Sequence, residues 1–171
     1  MFPKVLLKLI KVGYKMPRTC LTVLTVSSCL LWWTSVEANH THKSYQLTKE
    51  VKVVAITILA EARGEGEAGM YAVGACIAQR AFERKQTPTE VCLKKWQFSC
   101  WNGKSVKDLE HLLKTPQGQY AITVAKNVKT LSRNFIGYAN HYHATWMKKK
   151  PYWAKGQKPV KVIGQHAFYK L

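Results

Sequence analysis

Between positions 51 and 69 the chain passes from a segment that is apolar on most of its circumference into one rich in carboxylates and glycine. Val51, Val54, Ala55, Ile58 and Leu59 recur at spacings of three and four, and Val53 and Ile56 widen the stripe. This pattern predicts a helix buried on more than one side. Thr48 stands where an N-cap is expected. A helix of this kind belongs near the centre of the fold, and it delivers Glu61 at its C-terminal end. Segment 64–69 breaks it and opens a second helix, in which Met70, Val73, Gly74, Ile77, Ala78, Ala81 and Phe82 share a face. Gly74, Ala75 and Ala78 allow a neighbour to approach closely, at a cost of up to about 1 kcal/mol for a glycine in a helix interior.

Farther on, Thr87-Pro88-Thr89-Glu90 reads as a turn and a possible helix start, since proline suits the first helical position. Residues 94–103 read as a loop carrying Trp96, Phe98 and Trp101. Ser105 and Asp108 have the spacing of a capping box for a short helix to about Leu113. Thr115-Pro116 starts another, expected to run to about Leu131. The character then changes. Segments 138–145 and 159–169 are rich in aromatic and β-branched residues, as short strands are, and should pair antiparallel across the loop 148–158. Helices first and a small sheet last make an α+β domain, mainly helical, with the antiparallel sheet formed by the C-terminal third.

The first 18 residues contain five basic side chains and no acidic one, and residues 19–36 follow without a charge. A basic start, an apolar run and small residues at Val36 and Ala38 read as a secretory signal cut after position 38. The same 18 residues span about 27 Å as a helix, so an uncleaved membrane anchor fits too. A third reading makes the apolar runs helices of a cytoplasmic protein. Residues 39–47 form a polar lead-in, and 48–171 are left as one catalytic-sized domain. Without residues 1–38 the chain keeps 22 basic and 8 acidic side chains, a net +14. That charge attracts polyanions, whether nucleic acid, an anionic membrane surface or a wall polymer. Of the cysteines outside the leader, Cys76 lies on an apolar helix face and reads as a buried thiol. Cys92 and Cys100, close in sequence around a loop, are the expected disulfide.

Three clusters could carry chemistry. Glu61, Glu65 and Glu67 crowd one helix end in a chain with nine acidic residues. A carboxyl against apolar walls can keep its proton near neutral pH and give it to a glycosidic oxygen. Glu61, on the rigid helix, is the better acid, with Arg63 close enough in sequence to oppose a raised pKa. Glu65 or Glu67 could supply the second carboxylate that simple hydrolysis requires, roughly 5 to 9.5 Å away. A single acid suffices if a hydroxyl of the substrate is the nucleophile. Trp96, Gln97, Phe98, Trp101 and Asn102, joined by Tyr142, Trp146, Tyr152 and Trp153, suit a polymer groove, because rings pack on sugar faces and amides take hydroxyls. Some of these rings must be core, and the same set could stack bases, although no nucleic-acid motif accompanies it. His141, His143 and His166 form the third cluster. Strand alternation puts His141 and His143 on one face, which suits either substrate contact or a zinc site, but no HExxH is present.

Six blocks of sequence, in order, resemble the spore cortex-lytic type cell wall hydrolases. They are EARGE at positions 61–65 with Gly69, Ala72-Val73 and Gln79-Arg80, the approach from Pro88 to Cys92, QFSCW at 97–101, the pair His141 and His143 with Trp153, and Gly164, His166, Phe168 and Tyr169. Met70 and Gln79 depart from the glutamine and asparagine common at those places. The resemblance implies a lysozyme-like fold and peptidoglycan glycan strands as substrate. It implies Glu61 as catalytic acid in a lytic transglycosylase reaction between N-acetylmuramic acid and N-acetylglucosamine. It further implies substrate contacts from Gln97, Phe98, Trp101, His141, Tyr142 and His143, and supporting roles for Arg63, Gly64 and His166. No metal or other cofactor is implied. The expected partners are peptidoglycan and anionic wall polymers, with no nucleic acid and no membrane beyond the leader, and the expected state is an exported or membrane-anchored monomer. Some relatives have been labelled amidases, and a non-catalytic wall-binding protein is the remaining alternative.

Overall fold

The computed structural model describes residues 46–171; the leader or anchor of residues 1–38 and most of the lead-in lie outside the described residues. Helix α1 (Lys49–Ala62) begins at Thr48, whose side chain accepts a hydrogen bond from the Val51 amide at 3.3 Å. Seven consecutive residues, 53–59, are buried. The helix packs against α2 (Gly66–Arg84), α3 (Pro88–Leu93), α4 (Val106–Leu109) and α5 (Pro116–Lys126), so the all-round apolar pattern has its explanation in an axial position.

The caps follow local chemistry. Thr87 and Glu90 exchange reciprocal bonds as a capping box for α3, with Pro88 in its first turn. The Asp108 carboxylate accepts from both the amide and the hydroxyl of Ser105 at 2.7 Å. Helix α4 is one turn, continued by a 3-10 segment Glu110–Lys114. Helix α5 ends at Lys126, short of the expected Leu131, because Asn127 turns back to give its side-chain amide to the Thr123 carbonyl. A separate 3-10 turn, Val128–Thr130, follows.

Strand β1 (His141–Ala144) pairs antiparallel with β3 (His166–Tyr169), which in turn pairs with β2 (Lys161–Ile163), in the order β1-β3-β2. The expected antiparallel pairing is present. The second strand-like segment is itself a hairpin, turned at Gly164 with φ of 55°, a conformation that favours glycine. The sheet reaches the helices through small residues of α2: Ala72, Ala75 and Cys76 pack with Ile136, Ala139 and Phe168. Among the described residues no helix is long and apolar enough to cross a membrane.

The expected bridge between Cys92 and Cys100 is corrected by the structure, in which both are free thiols. Helix α3 aims Cys92 into the core beside the Thr57 hydroxyl, while Cys100 sits half-buried in the 3-10 turn Ser99–Trp101. Burial pushes the two thiols up to about 12 and about 11, so both stay protonated at neutral pH. Cys76 is the buried thiol expected.

Two glycines mark the closest approaches. A Cβ at Gly118 would lie 2.6 Å from the Leu112 carbonyl oxygen and 2.6 Å from Leu113 Cα, both backbone. A Cβ at Gly74 would meet the side-chain ends of Val124 at 2.7 Å and Leu131 at 3.0 Å, which can shift. Gly118→Ala is therefore expected to cost about 2–3 kcal/mol in urea melts. Gly74→Ala should cost less than half as much, because relaxation and a gain in helix propensity of up to about 1 kcal/mol offset the crowding.

Candidate active site at the end of the central helix

Glu61 occupies the last turn of α1, where the axial helix emerges from the core. Its Oε2 accepts a hydrogen bond from the Tyr142 hydroxyl at 2.9 Å. Burial raises the Glu61 pKa above the ordinary carboxylate range, opposed first by the Tyr142 hydrogen bond and then by the charge of Arg80. The opposing cation is thus Arg80 and not Arg63, which is exposed as the C-cap residue of α1. Gly64 is also exposed, and the left-handed backbone of the turn falls on Gly66, with φ of 68°.

Tyr142 is the central member of β1 and faces the helices. Its ring meets His166 edge-on at 5.0 Å and lies 5.5 Å from Phe168. The Arg80 guanidinium sits 5.8 Å from the Tyr142 ring and 5.5 Å from that of Phe98, and Arg80 Nε donates to the Asn140 carbonyl at 2.6 Å. Arg80 is buried, and among the described residues its Nη1 has no partner, nor has Nδ1 of buried His166. Arg80 and the Tyr142 hydroxyl are thus the cation and the donor that act on Glu61, while His166 stands against the Tyr142 ring.

The other two glutamates go elsewhere. Glu65 Oε2 accepts the Gln165 amide at 2.6 Å, tying the β2–β3 turn to the start of α2, and a side chain at Gly164 would run into the same oxygen. Glu67 is exposed in the first turn of α2, and its charge adds to burial in raising the pKa of Tyr120.

The histidines divide between the two sheet faces. His141 and His143 share one face, as alternation requires, but it is the face away from Tyr142 and Glu61. His143 is buried, with Nδ1 at 2.9 Å from the Ala144 carbonyl and Nε2 at 3.0 Å from the Tyr169 hydroxyl. Both rings pack against Trp153, at 5.0 and 5.8 Å. His141 takes a contact from the Asn140 side chain at 2.8 Å, and burial followed by the Arg80 and Arg84 charges lowers its pKa. His166, expected in a supporting role, is the imidazole that stands beside the Tyr142–Glu61 pair. Three histidines on opposite faces do not converge, and among the described residues no group of three His, Cys, Asp or Glu side chains is placed to hold a metal ion.

Among the aromatic and amide candidates, Phe98 is core, at 4% exposure. Trp101 is partly exposed and anchors its indole N–H on the Thr57 hydroxyl at 3.0 Å, one helical turn before Glu61. Gln97 accepts a hydrogen bond from Arg84 at 2.9 Å, so its amide oxygen is already engaged. Trp96, Trp146 and Tyr152 are exposed. Sequence reasoning missed Arg80 as a site residue. The signal was present, since an arginine three and four positions beyond Ile77 and Cys76 lies on the buried face of α2.

The family model described as Cell Wall Hydrolase matches residues 64–169, a segment that starts just after Glu61 and includes Glu65, Arg80, Tyr142 and His166. The crystal structure of the catalytic domain of the Bacillus cereus SleB protein is similar, with a TM-score of 0.56 over 71% of this chain and 89% of that one. At 22% identity the likeness is one of fold, mainly helical with the small antiparallel sheet. No curated protein sequence matches the chain. With most of its described domain inside the family match, the chain belongs to the cell wall hydrolase family.

Proposed function

We propose that the protein cuts peptidoglycan glycan strands between N-acetylmuramic acid and N-acetylglucosamine as a lytic transglycosylase, with Glu61 as its acid. The observation that carries this reading is the unequal treatment of the carboxylates. Glu61 is partly buried with a raised pKa and is aimed by Tyr142, whereas Glu65 is spent on the Gln165 amide and Glu67 lies in solvent. One protonated acid, with no second carboxylate free to guide water, suits a reaction whose nucleophile belongs to the substrate.

In that reaction Glu61 gives its proton to the glycosidic oxygen as the bond from the muramoyl anomeric carbon breaks. The muramoyl 6-hydroxyl closes onto the same carbon, and its proton passes to the Glu61 carboxylate, restoring the acid. Tyr142, donating to Oε2, leaves the other oxygen to carry the proton and steadies the anion between the two steps. His166 and Trp101 flank the sugar in this reading, while His141 and His143 support the sheet from behind. Because the polymer lies outside the cytoplasmic membrane, residues 1–38 act as the export signal or anchor.

Mass analysis of muropeptides released from purified wall should show 1,6-anhydro ends. Ordinary reducing ends would instead mean hydrolysis, freed stem peptides an amidase, and binding without release a non-catalytic protein. Glu61→Gln should lower the release rate at least about 100-fold, while Glu65→Gln should act mainly by loosening the β2–β3 turn and lowering Tm.

The pH dependence follows from the raised Glu61 pKa. The native state holds this proton at pH values where the unfolded chain has lost it, so stability falls as pH rises from the ordinary Glu range through the raised one. Melts of wild type and Glu61→Gln should therefore converge in acid, and the variant should be the more stable at neutral pH. Activity should fall over the same rise in pH. Tyr142→Phe removes a bond that lowers the pKa, so the alkaline limb of its rate profile should move to higher pH.

A further inference from the structure

Beside α1 lies a groove of about 580 Å³, of whose lining the chemistry above uses only Trp101. Its lining is largely apolar, with Trp101 as one wall, and Lys49, Lys52, Lys104 and Lys107 stand around it with Glu110 as the lone acid. Glu110 is already occupied by Lys52, at 2.7 Å. The Asp108 carboxylate nearby is taken up by Ser105. Lys49, Lys104 and Lys107 form no ion pair among the described residues. Three ammonium groups around an apolar floor fit a ligand that is both anionic and aliphatic.

The groove shares Trp101 with the candidate active site. Trp101 hangs from Thr57, one turn before Glu61. Along α1, Glu61 and Lys49 are twelve residues apart, about 18 Å. An extended peptide of five residues spans about 17 Å. A sugar held at Glu61 could thus lay a short peptide arm along the groove as far as its distant lysine.

We propose that this groove binds the peptide arm borne by the muramoyl residues of the substrate, with free carboxylates of the arm on Lys49, Lys104 and Lys107 and its aliphatic parts against Trp101. The proposal rests on the glycan-strand reading above and adds to it a preference for peptide-bearing over bare glycan.

The test titrates the full chain with a disaccharide pentapeptide, which lacks the bond to be cut, and with the same disaccharide stripped of its peptide. The peptide-bearing ligand should bind about three- to tenfold more tightly at low salt, and the advantage should vanish in about 0.5 M salt. Lys104→Gln with Lys107→Gln should abolish that preference, while Lys126→Gln with Lys129→Gln, which removes the same charge outside the groove, should leave it intact. The proposal is overturned if both double variants behave alike, if the first matches wild type, or if its only deficit is in binding a polyol-phosphate polymer, which would make the groove a phosphodiester site. Peptide-dependent binding without release from intact wall would sink the glycan-cleavage reading and leave the peptide groove standing; release indifferent to the peptide would do the reverse.

Discussion

A helix with seven consecutive buried residues has no side left for solvent along that stretch, and the other α-helices of the described residues pack around it. The consequence for chemistry lies at its end. A carboxylate in the middle of α1 would be desolvated too severely to ionise, and one beyond its last turn would be fully hydrated. Glu61 falls between, in the last turn, where burial raises its pKa while a hydroxyl and a cation hold the rise in check. The position of one titratable group thus follows from the packing of an apolar rod.

The sheet supplies the restraint. Its register sets Tyr142 opposite Phe168 and Ala144 opposite His166, so one face collects Tyr142, His166 and Phe168 against the helices. The other collects His141, His143, Tyr169 and Trp153 into a separate aromatic cluster. The second cluster keeps the strand rigid from behind, and the first presents one phenol to one carboxylate. Glu65 closes the arrangement by fastening the β2–β3 turn to the start of α2. Two glutamates four positions apart therefore do different work, one left in the site with a raised pKa and one fixing the frame that surrounds it.

Arg80 shows how such a site tolerates a buried cation. Its guanidinium lies 5.5 Å from the Phe98 ring and 5.8 Å from the Tyr142 ring, with one bond to a carbonyl and one nitrogen unpaired among the described residues. Burying a charge in this way is costly unless an anion shares the region. Burial raises the Glu61 pKa, and Arg80, after the Tyr142 hydrogen bond, opposes that rise.

The sequence by itself determined the helices and their caps, the apolar axis, the small-residue face of α2 and the glutamate at the end of α1. These depend on interactions within a few residues, and periodicity or cap chemistry reports them directly. It also supported antiparallel pairing between the two C-terminal segments. Which face of β1 meets Glu61 was beyond it, because alternation places His141 and His143 together without saying whether they or Tyr142 turn toward the helices. That choice was settled by the register against β3 and by the fit of Phe168 into the alanines of α2, contacts between residues far apart in the chain. For the same reason the sequence offers Arg63, the neighbour along the chain, as the cation near Glu61, whereas folding brings Arg80 to it. The engagement of Glu65 by an amide a hundred positions away and the burial of Cys92 in the core as a free thiol likewise belong to the tertiary structure, since burial and partner geometry exist only once distant segments have packed.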